Sequence, residues 1–282
     1  MKKILFLFSI LMFLCFSIQA QEEVVASDDD DKTPVLDPWS SGYLIDNPTV
    51  VQLTQKQLGL NIAHRFSKIE DMEDLLGIYG PSNIQLQLCY GITNRIQLGF
   101  ATEKNNKLQV LDGKVALLQQ SRSGKIPLSI SFYGNVGIDS RDVNFESFTN
   151  RLSYHAEFIF ARKFSDRLSF QIAPGFSHIN DVDSIYLWDA INISVGGRFK
   201  VYNEMSLIME YDQGFNIQTK RDWTVDTKPN LGFGLEIGTS THTFQFFVAP
   251  FDHIVAQKNY TANTNDFTDG GMRFGFNITV KF

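Results

Sequence analysis

The feature that most constrains the fold is an alternation of apolar and polar residues that runs to the end of the sequence. In residues 271–282 (GMRFGFNITVKF), Met, Phe, Ile and Val occupy every second position, and Arg, Gly, Asn, Thr and Lys lie between them. Because successive side chains of a strand point to opposite faces, the segment predicts a strand with one wholly apolar face. Its other face is polar or small.

The same alternation recurs from Gln57 onward. It predicts about twelve strands, each close to the ~10 residues of a tilted membrane strand. Residues 84–90, 96–101 and 128–136 are clear examples, whereas 107–118 is the least regular. Soluble β-sandwiches alternate in the same way, so the alternation by itself does not select a membrane.

The connections between the strands favour a membrane barrel over a soluble sandwich. Short turns are predicted at 91–94, 121–124, 165–166, 202–204 and 239–241, and long polar connections at 67–83, 139–150, 179–187, 213–229 and 250–270, with 102–107 as a short exception. Short and long connections alternate along the chain, so the long ones share one end. The prediction is an all-β fold: a transmembrane antiparallel up-and-down β-barrel with short periplasmic turns and long outer loops. It places the protein in the bacterial outer membrane of a Gram-negative cell with both termini periplasmic, and the last strand closes against the first.

The N-terminal residues predict export. Lys2 and Lys3 precede an apolar run that is followed by small residues, which predicts a signal peptide at 1–20, since the run is too short for a membrane-spanning helix. Removal of residues 1–20 takes away Cys15 and leaves Cys89 as a single sequestered thiol. Residues 21–38 predict an acidic flexible leader, residues 39–56 a plug or barrel-associated segment, and residues 57–282 the barrel.

Charge and composition bear on the partners. The net charge of −6 and the lack of a basic patch with interleaved aromatics exclude a nucleic-acid partner. The 25 Phe and 9 Tyr are numerous, and several fall at the two ends of the predicted strands, as in the aromatic girdles of membrane barrels. We therefore expect outer-membrane lipid and the barrel-assembly machinery as partners, with Phe282 as the assembly signal. A protein partner remains unidentified.

A resemblance to a known family rests on short stretches spread along the chain. They are 62–66 (IAHRF), 90–95 (YGITNR), 151–154 (RLSY), 161–167 (ARKFSDR), 196–200 (GGRFK) and 275–278 (GFNI). The ordered set resembles an uncharacterised outer-membrane β-barrel family of the Bacteroidetes, a domain of unknown function. The resemblance implies the fold and the location. It carries no activity and no functional residue.

The polar faces of the strands predict the lumen lining. The candidate lumen charges are Lys114, His155, Glu157, Arg198, Glu210, Glu236 and Arg273, with Arg65 and Asp212, like Arg198, nearer the rims. Two interpretations remain open. The charges line a narrow pore, in which Glu157, Glu210 and Glu236 form a cation-favouring constriction, or they pair with one another and fill the lumen.

Enzymatic and metal chemistry find little support. A lipid hydrolase needs a Ser–His pair near the bilayer surface, and His64 and His178 are predicted on the lipid-facing side, with Ser177 on the opposite face from His178. His155 and Glu157 could supply two metal ligands, but the sequence identifies no third. We predict no enzyme activity, no catalytic residue, no metal and no cofactor.

One loop carries helical spacing. In residues 67–80, Ile69, Met72, Leu75 and Leu76 predict a short helix that caps the mouth or serves as a surface contact. Taken together, the sequence predicts a narrow or plugged channel for small solutes. The alternative is a non-conducting structural or partner-binding barrel that acts through its loops or its leader.

Overall fold

The barrel closes with twelve strands. The computed structural model describes residues 33–70, 73, 75–181, 188–217 and 226–282. The predicted signal peptide and residues 21–32 of the leader lie outside this range. The strands are β1 (Leu58–Lys68), β2 (Asn83–Thr93), β3 (Ile96–Glu103), β4 (Leu108–Leu118), β5 (Ser129–Asp139), β6 (Leu152–Lys163), β7 (Leu168–Ile179), β8 (Asp189–Tyr202), β9 (Met205–Asn216), β10 (Asn230–Gly238), β11 (His242–Ala249) and β12 (Arg273–Lys281).

Each strand pairs antiparallel with its neighbours in the sequence, and β1 pairs with β12. The register of this closing pair runs from Gly59 opposite Lys281 to Arg65 opposite Gly275. The backbone N–H of Phe282 donates to the carbonyl of Leu58 at 2.9 Å, which extends the pairing to the last residue. The predicted fold class and strand number are confirmed. Closure leaves no free edge along the barrel.

Short and long connections separate to the two ends of the barrel. The end that we call the turn end carries 94–95, 119–128, 164–167, 203–204 and 239–241, and the loop end carries 69–82, 104–107, 140–151, 180–188, 217–229 and 250–272. The predicted alternation is confirmed, including the short connection between β3 and β4. The connection at 119–128 is the longest at the turn end, and the N-terminal leader contacts it.

The two faces of the strands differ as the alternation predicts. Leu207 and Met209 of β9 are 50% and 54% exposed on the outer face, whereas Glu210 and Asp212 are fully buried on the inner face. In the irregular segment β4, Asp112 and Lys114 point inward, and a register shift against β5 lies between Ala116 and Leu118. The weak alternation comes earlier in the strand, because Leu108 and Val110 are apolar yet face inward, where they pack with Val255 of the last loop.

The predicted cap helix in 67–80 is wrong. The described residues of this loop form turns, and Leu75 and Leu76 have φ of 45° and 61°, which lie outside the right-handed helical region. Both side chains are largely exposed. Met72 lies outside the described residues. Helical spacing of a few apolar residues is therefore not enough to form a helix when their side chains are not buried against the rest of the protein.

A short helix forms instead in the last loop. Helix α1 (Ala256–Ala262) belongs to the connection between β11 and β12, and its Gln257, Asn259, Tyr260 and Thr261 are buried. Short 3₁₀ turns lie at Asn105–Lys107, Phe148–Arg151 and Phe267–Asp269. Within the described residues, no helix has the length and apolar character that crossing a membrane would require.

Candidate functional site

The lumen is occupied by residues 39–56, which we call the lumen segment. It folds as a hairpin: the N–H of Leu44 donates to Asn47 O and the N–H of Thr49 donates to Gly42 O, both at 2.9 Å. The side chains of Trp39, Leu44 and Ile45 are at most 2% exposed. Since β1 begins at Leu58, the hairpin returns to the turn end, and its tip at 45–48 points toward the loop end.

The chain reaches the lumen through the turn end. Val35 N–H donates to Gln120 O at 2.9 Å, and Pro34 forms an isolated bridge with Ser121. Lys163 Nζ donates to Leu36 O at 2.9 Å. These contacts hold the end of the leader against the 119–128 connection, immediately before Trp39 becomes buried.

Lys114 holds the lumen segment from one wall. Its ammonium group donates to the carbonyls of Gly42, Thr49 and Val51, at 3.0 Å for Thr49, and the side chain is almost fully buried. The three carbonyls come from both arms of the hairpin. A buried ammonium group needs such partners, because its desolvation is otherwise costly. The contact ties both arms to β4.

Arg65 holds the tip of the lumen segment. Its Nη2 lies 2.8 Å from Asp46 Oδ1, and both side chains are at most 3% exposed. Nη2 also donates to Ile45 O at 3.1 Å, Nη1 donates to Asn277 Oδ1 at 3.0 Å, and the guanidinium centre lies 4.5 Å from the centroid of the Phe247 ring. The sequence does not reveal Arg65 as the partner of Asp46, because only the fold brings the two residues together.

Two carboxylates of β9 complete the site at the tip. Glu210 accepts hydrogen bonds from the N–H groups of Asp46 and Asn47 at 3.0 and 3.3 Å. Asp212 accepts from Asn47 Nδ2 and from Asn230 Nδ2, each at 2.6 Å. The tip therefore brings Asp46, which pairs with Arg65, close to two further buried carboxylates of the wall.

Tyr260 of α1 meets the tip from the loop end. Its hydroxyl points toward Asn47 Oδ1 at 3.1 Å and Asp212 Oδ1 at 3.2 Å. Burial and the neighbouring carboxylates raise the pKa of Tyr260 well above its ordinary value, so the hydroxyl stays a neutral donor. The ring stacks on His155 with centroids 5.8 Å apart. The hairpin and the loop therefore meet inside the barrel.

The rest of the last loop is also tied to the wall. Gln257 Nε2 donates to Ser153 Oγ at 3.1 Å, and Asn83 Nδ2 donates to Asp252 O at 3.0 Å. The sequence predicts 250–270 only as a long polar connection. The heptapeptide of α1 (AQKNYTA) has no apolar periodicity, so no local signal marks it as a segment that folds into the barrel mouth.

His155 and Glu157 lie together on the inner face of β6. His155 Nε2 is 3.4 Å from Glu157 Oε2, and His155 Nδ1 is 2.9 Å from Ser177 Oγ. All of these side chains are buried, and Tyr260 covers the imidazole. Ser177 thus pairs with His155 inside the lumen rather than with His178. Among the described residues no cluster of three or more His, Cys, Asp or Glu is arranged to hold a metal ion.

The other candidate charges are distributed between the two ends. Arg198 Nε donates to Glu236 Oε1 at 2.7 Å, and Gln245 Nε2 donates to Glu236 Oε2 at 2.9 Å. Arg198 Nη2 also reaches Ser40 Oγ of the lumen segment at 2.7 Å. Arg273, the first residue of β12, lies at the loop end with Nη2 3.5 Å from Asp252 Oδ2.

We expect that removal of one partner of the Arg198–Glu236 ion pair strongly destabilises the folded protein. Glu236→Leu leaves a buried guanidinium without its countercharge, which should lower the free energy of unfolding by about 3–5 kcal/mol. Urea unfolding in detergent, followed by tryptophan fluorescence, measures the change. The double variant Arg198→Met/Glu236→Leu should recover most of the loss. If it is as unstable as the single variant, the cost comes from packing rather than from the unpaired charge.

The two outward-facing histidines contact neighbouring side chains of the barrel. His64 stacks on Phe276 with centroids 5.1 Å apart and lies 4.3 Å from the Phe66 ring. His178 Nδ1 is 2.7 Å from Asp189 Oδ1, and its Nε2 is 2.7 Å from Asn180 Oδ1. Both rings belong to the outer surface near the loop end, and neither contacts a serine hydroxyl in these hydrogen bonds and ring contacts.

Little space remains beside the lumen segment. One cavity of about 30 Å³ is lined by Tyr43, Asp46, Gln87, Asp112 and Asn135 among others. A second of about 30 Å³ is lined by Leu53, Cys89, Gln97 and Lys281 among others. Each volume suits about two water molecules. With the hairpin in place, these cavities have no room for a solute larger than water.

The closed barrel, its apolar outer face and its polar inner face define a membrane β-barrel of porin-like architecture. The chain belongs to the family described as membrane bound beta barrel domain (DUF5777), whose model matches residues 39–282. The expected membership of an uncharacterised membrane barrel family is thereby confirmed. The match begins at Trp39, so the family domain includes the lumen segment.

A solved outer membrane channel supports the same fold, and a porin is similar at a lower TM-score. The COG4313 outer membrane channel from Pseudomonas putida F1 is 10% identical with a TM-score of 0.51, covering 82% of this chain and 97% of that chain. The NanC porin is 10% identical with a TM-score of 0.46, covering 80% of this chain and 98% of that chain. Curated proteins gave no match.

Proposed function

We propose that the protein is a channel for small solutes in the outer membrane of a Gram-negative bacterium, and that the lumen segment closes it. In this proposal the turn end and both termini face the periplasm, and the long loops face outward. The lumen segment enters and leaves at the turn end, so it can withdraw toward the periplasm without breaking the barrel. The protein is not an enzyme in this proposal.

The observation that carries the proposal is the occupancy of the lumen by a hairpin that belongs to no strand. Its contacts are side-chain packing, the Arg65–Asp46 ion pair and hydrogen bonds to wall side chains, of which each neutral hydrogen bond contributes only about 0.5–1.5 kcal/mol net. Such contacts are separable from the backbone pairing that holds the barrel together. The COG4313 structure is named an outer membrane channel, which agrees with a conducting role for this architecture.

A disulfide tether tests whether the lumen segment is the gate. Ser41 Oγ and Thr279 Oγ1 are 3.0 Å apart, which suits a disulfide between the segment and β12. In a Cys89→Ser background, Ser41→Cys/Thr279→Cys should give no single-channel steps in a planar bilayer when oxidised. Steps should appear after reduction, because the hairpin is then free to leave.

The two single-cysteine variants serve as controls, since neither can form the tether. Equal conductance before and after reduction would contradict the gate. Heat-dependent gel mobility shows that the barrel is folded in each case.

A non-conducting barrel that serves a structural or partner-binding role is the second candidate. The filled lumen favours it, since the cavities beside the hairpin are of water size. Under this alternative, no variant of the lumen segment opens a path, and bilayers stay silent while the barrel is folded. Conductance through the barrel after release of the lumen segment would instead favour the channel.

The remaining expectations concern biogenesis and origin. Phe282 is 72% exposed at the turn end, where a periplasmic assembly machinery could reach it. We propose that it serves as the assembly signal, that residues 1–20 are removed on export, and that the source belongs to the Bacteroidetes. Deletion of Phe282 should lower the amount of folded barrel in the outer membrane, as measured by heat-dependent gel mobility.

A further inference from the structure

The barrel wall contacts the backbone of the lumen segment through carboxamide side chains. Gln245 Nε2 donates to Tyr43 O at 3.0 Å, and Asn277 Nδ2 donates to Ile45 O at 2.7 Å. Gln171 Nε2 donates to Pro48 O at 3.1 Å. The three side chains come from β11, β12 and β7, so the contacts approach the hairpin from different sides.

Other wall groups extend this pattern to nearly the whole hairpin. Lys114 holds the carbonyls of residues 42, 49 and 51, and Thr243 Oγ1 donates to the carbonyl of residue 40 at 3.2 Å. Glu210 accepts from the N–H groups of residues 46 and 47, and Gln97 Oε1 accepts from that of residue 53 at 3.1 Å. The wall thus supplies donors for carbonyls and acceptors for N–H groups. A backbone presents both groups at every residue except proline.

Several wall groups still have unused hydrogen-bonding capacity. Gln171 Oε1, Gln87 Oε1 and Asn135 Oδ1 are buried without a hydrogen-bond partner. Gln171 is instructive, because its amide nitrogen binds the carbonyl of Pro48 while Pro48 has no N–H to offer its oxygen. A peptide with another residue at this place would present the N–H that Pro48 lacks. The resident hairpin therefore does not exhaust what the wall can bind.

We propose that the lumen is a peptide-binding site that recognises backbone, and that short peptides are the solute class that the barrel admits. The proposal rests on the proposed function, since the hairpin must leave for another peptide to enter. Contacts to backbone depend little on side chains, so the site accepts peptides of different sequence. The hairpin shows that the lumen accommodates two adjacent backbone runs.

The test uses the chain after removal of residues 1–20, in which Cys89 is the one remaining cysteine. Cys89 faces the lumen beside Leu53 and is 7% exposed, so its labelling by a maleimide reports whether the lumen is occupied. The variant Leu44→Ala/Ile45→Ala loosens the hairpin by removing two buried side chains and leaves the wall unchanged. Labelling of Cys89 should then rise.

Four probes are added to this variant at increasing concentration. They are a synthetic peptide of residues 39–55, a scrambled peptide of the same composition, the scrambled peptide with alternate backbone nitrogens methylated, and maltohexaose. Both unmethylated peptides should protect Cys89, with half-effective concentrations within about threefold of each other. Methylation should raise that concentration at least about tenfold, because it removes backbone donors. Maltohexaose should not protect.

The proposal is overturned if the scrambled peptide is more than tenfold weaker than the native one, or if maltohexaose protects as well as the peptides. If the double variant stays unlabelled, backbone contacts alone hold the hairpin, and adding Gln245→Met and Asn277→Leu should release it. Continued protection after that addition overturns the proposal. If peptides protect Cys89 but the barrel never conducts, the channel is refuted and the peptide site stands. If the barrel conducts but peptides neither protect Cys89 nor block the current, the peptide site is refuted and the channel stands.

Discussion

Lys114→Met should release the lumen segment and raise the labelling rate of Cys89 by about 100-fold. The substitution removes a group that donates to carbonyls of both arms of the hairpin. Hydrogen bonds from a charged donor are worth about 1.5–3 kcal/mol each, and the Gly42 bond is long at 3.4 Å. The bonds to Thr49 and Val51 at the lower value therefore amount to about 3 kcal/mol, which is a hundredfold change in the equilibrium between bound and released hairpin. Methionine keeps most of the side-chain volume, so cavity formation contributes little.

The labelling rate is measured by quenching a maleimide reaction of the folded barrel at intervals. Lys107→Met is the matched control, because Lys107 lies just before β4, is exposed and does not contact the hairpin. It should label at the rate of the unmodified chain. A rate for Lys114→Met that equals this control would show that Lys114 does not hold the segment. The same variant should also show steps in a bilayer if the proposed channel is correct.

Arg65→Met should displace the tip of the hairpin with an effect of similar or larger size. It removes the charged partner of Asp46 and leaves this buried carboxylate, which lies close to Glu210 and Asp212, without its ion pair. Breaking a buried ion pair from one side costs about 3–5 kcal/mol. We expect Cys89 labelling to rise by about 100-fold or more, since departure of the hairpin lets water reach the carboxylates.

Two further variants test whether the effect of Arg65→Met comes from its position and from its charge. Arg167→Met changes an exposed arginine of the turn end and should have no effect. Arg65→Lys keeps the positive charge but loses the planar fork that binds both Ile45 O and Asp46, so it should give an intermediate rate. If Arg65→Lys releases the hairpin as completely as Arg65→Met, geometry rather than charge holds the tip.

Both predictions concern a lumen that is closed from two ends. The hairpin enters from the turn end, and Tyr260 on α1 reaches its tip from the loop end. A ligand that moved the last loop outward would remove Tyr260 from Asn47 and Asp212. The two closures therefore share hydrogen-bonding groups, and we expect their displacement to be coupled.

The strands themselves could be read from the sequence with good accuracy. Alternation in β12 and in β9 depends only on residues two apart, and the lipid on one side and the polar lumen on the other impose the same alternation on every strand. The separation of turns and loops follows in the same way, because connection lengths are visible in the sequence. Leu108 and Val110 of β4 are the exception, since these apolar side chains face inward against Val255 of the last loop.

Loops were predicted less well, for a physical reason. The spacing in 67–80 suggested a helix, but Leu75 and Leu76 turn with positive φ and stay exposed. In contrast, α1 has no helical apolar stripe and still folds into the mouth of the barrel. Its buried groups are polar, and their partners, Ser153, Asn47 and Asp212, lie far away in the sequence. Periodicity in the sequence predicts which apolar side chains are buried, but it does not predict which polar side chains are buried.

The sequence by itself determined the strand number, the facing of most strand residues and the closure of the last strand on the first, because these follow from local alternation and from the lengths of connections. Only the tertiary structure decided which polar groups meet in the lumen. Arg65 pairs with Asp46, Lys114 binds three carbonyls, and Arg198 pairs with Glu236 because barrel closure brings distant residues to one interior. A buried charge must find a partner, but the sequence does not specify which one, since several candidates of suitable chemistry face the same enclosed space.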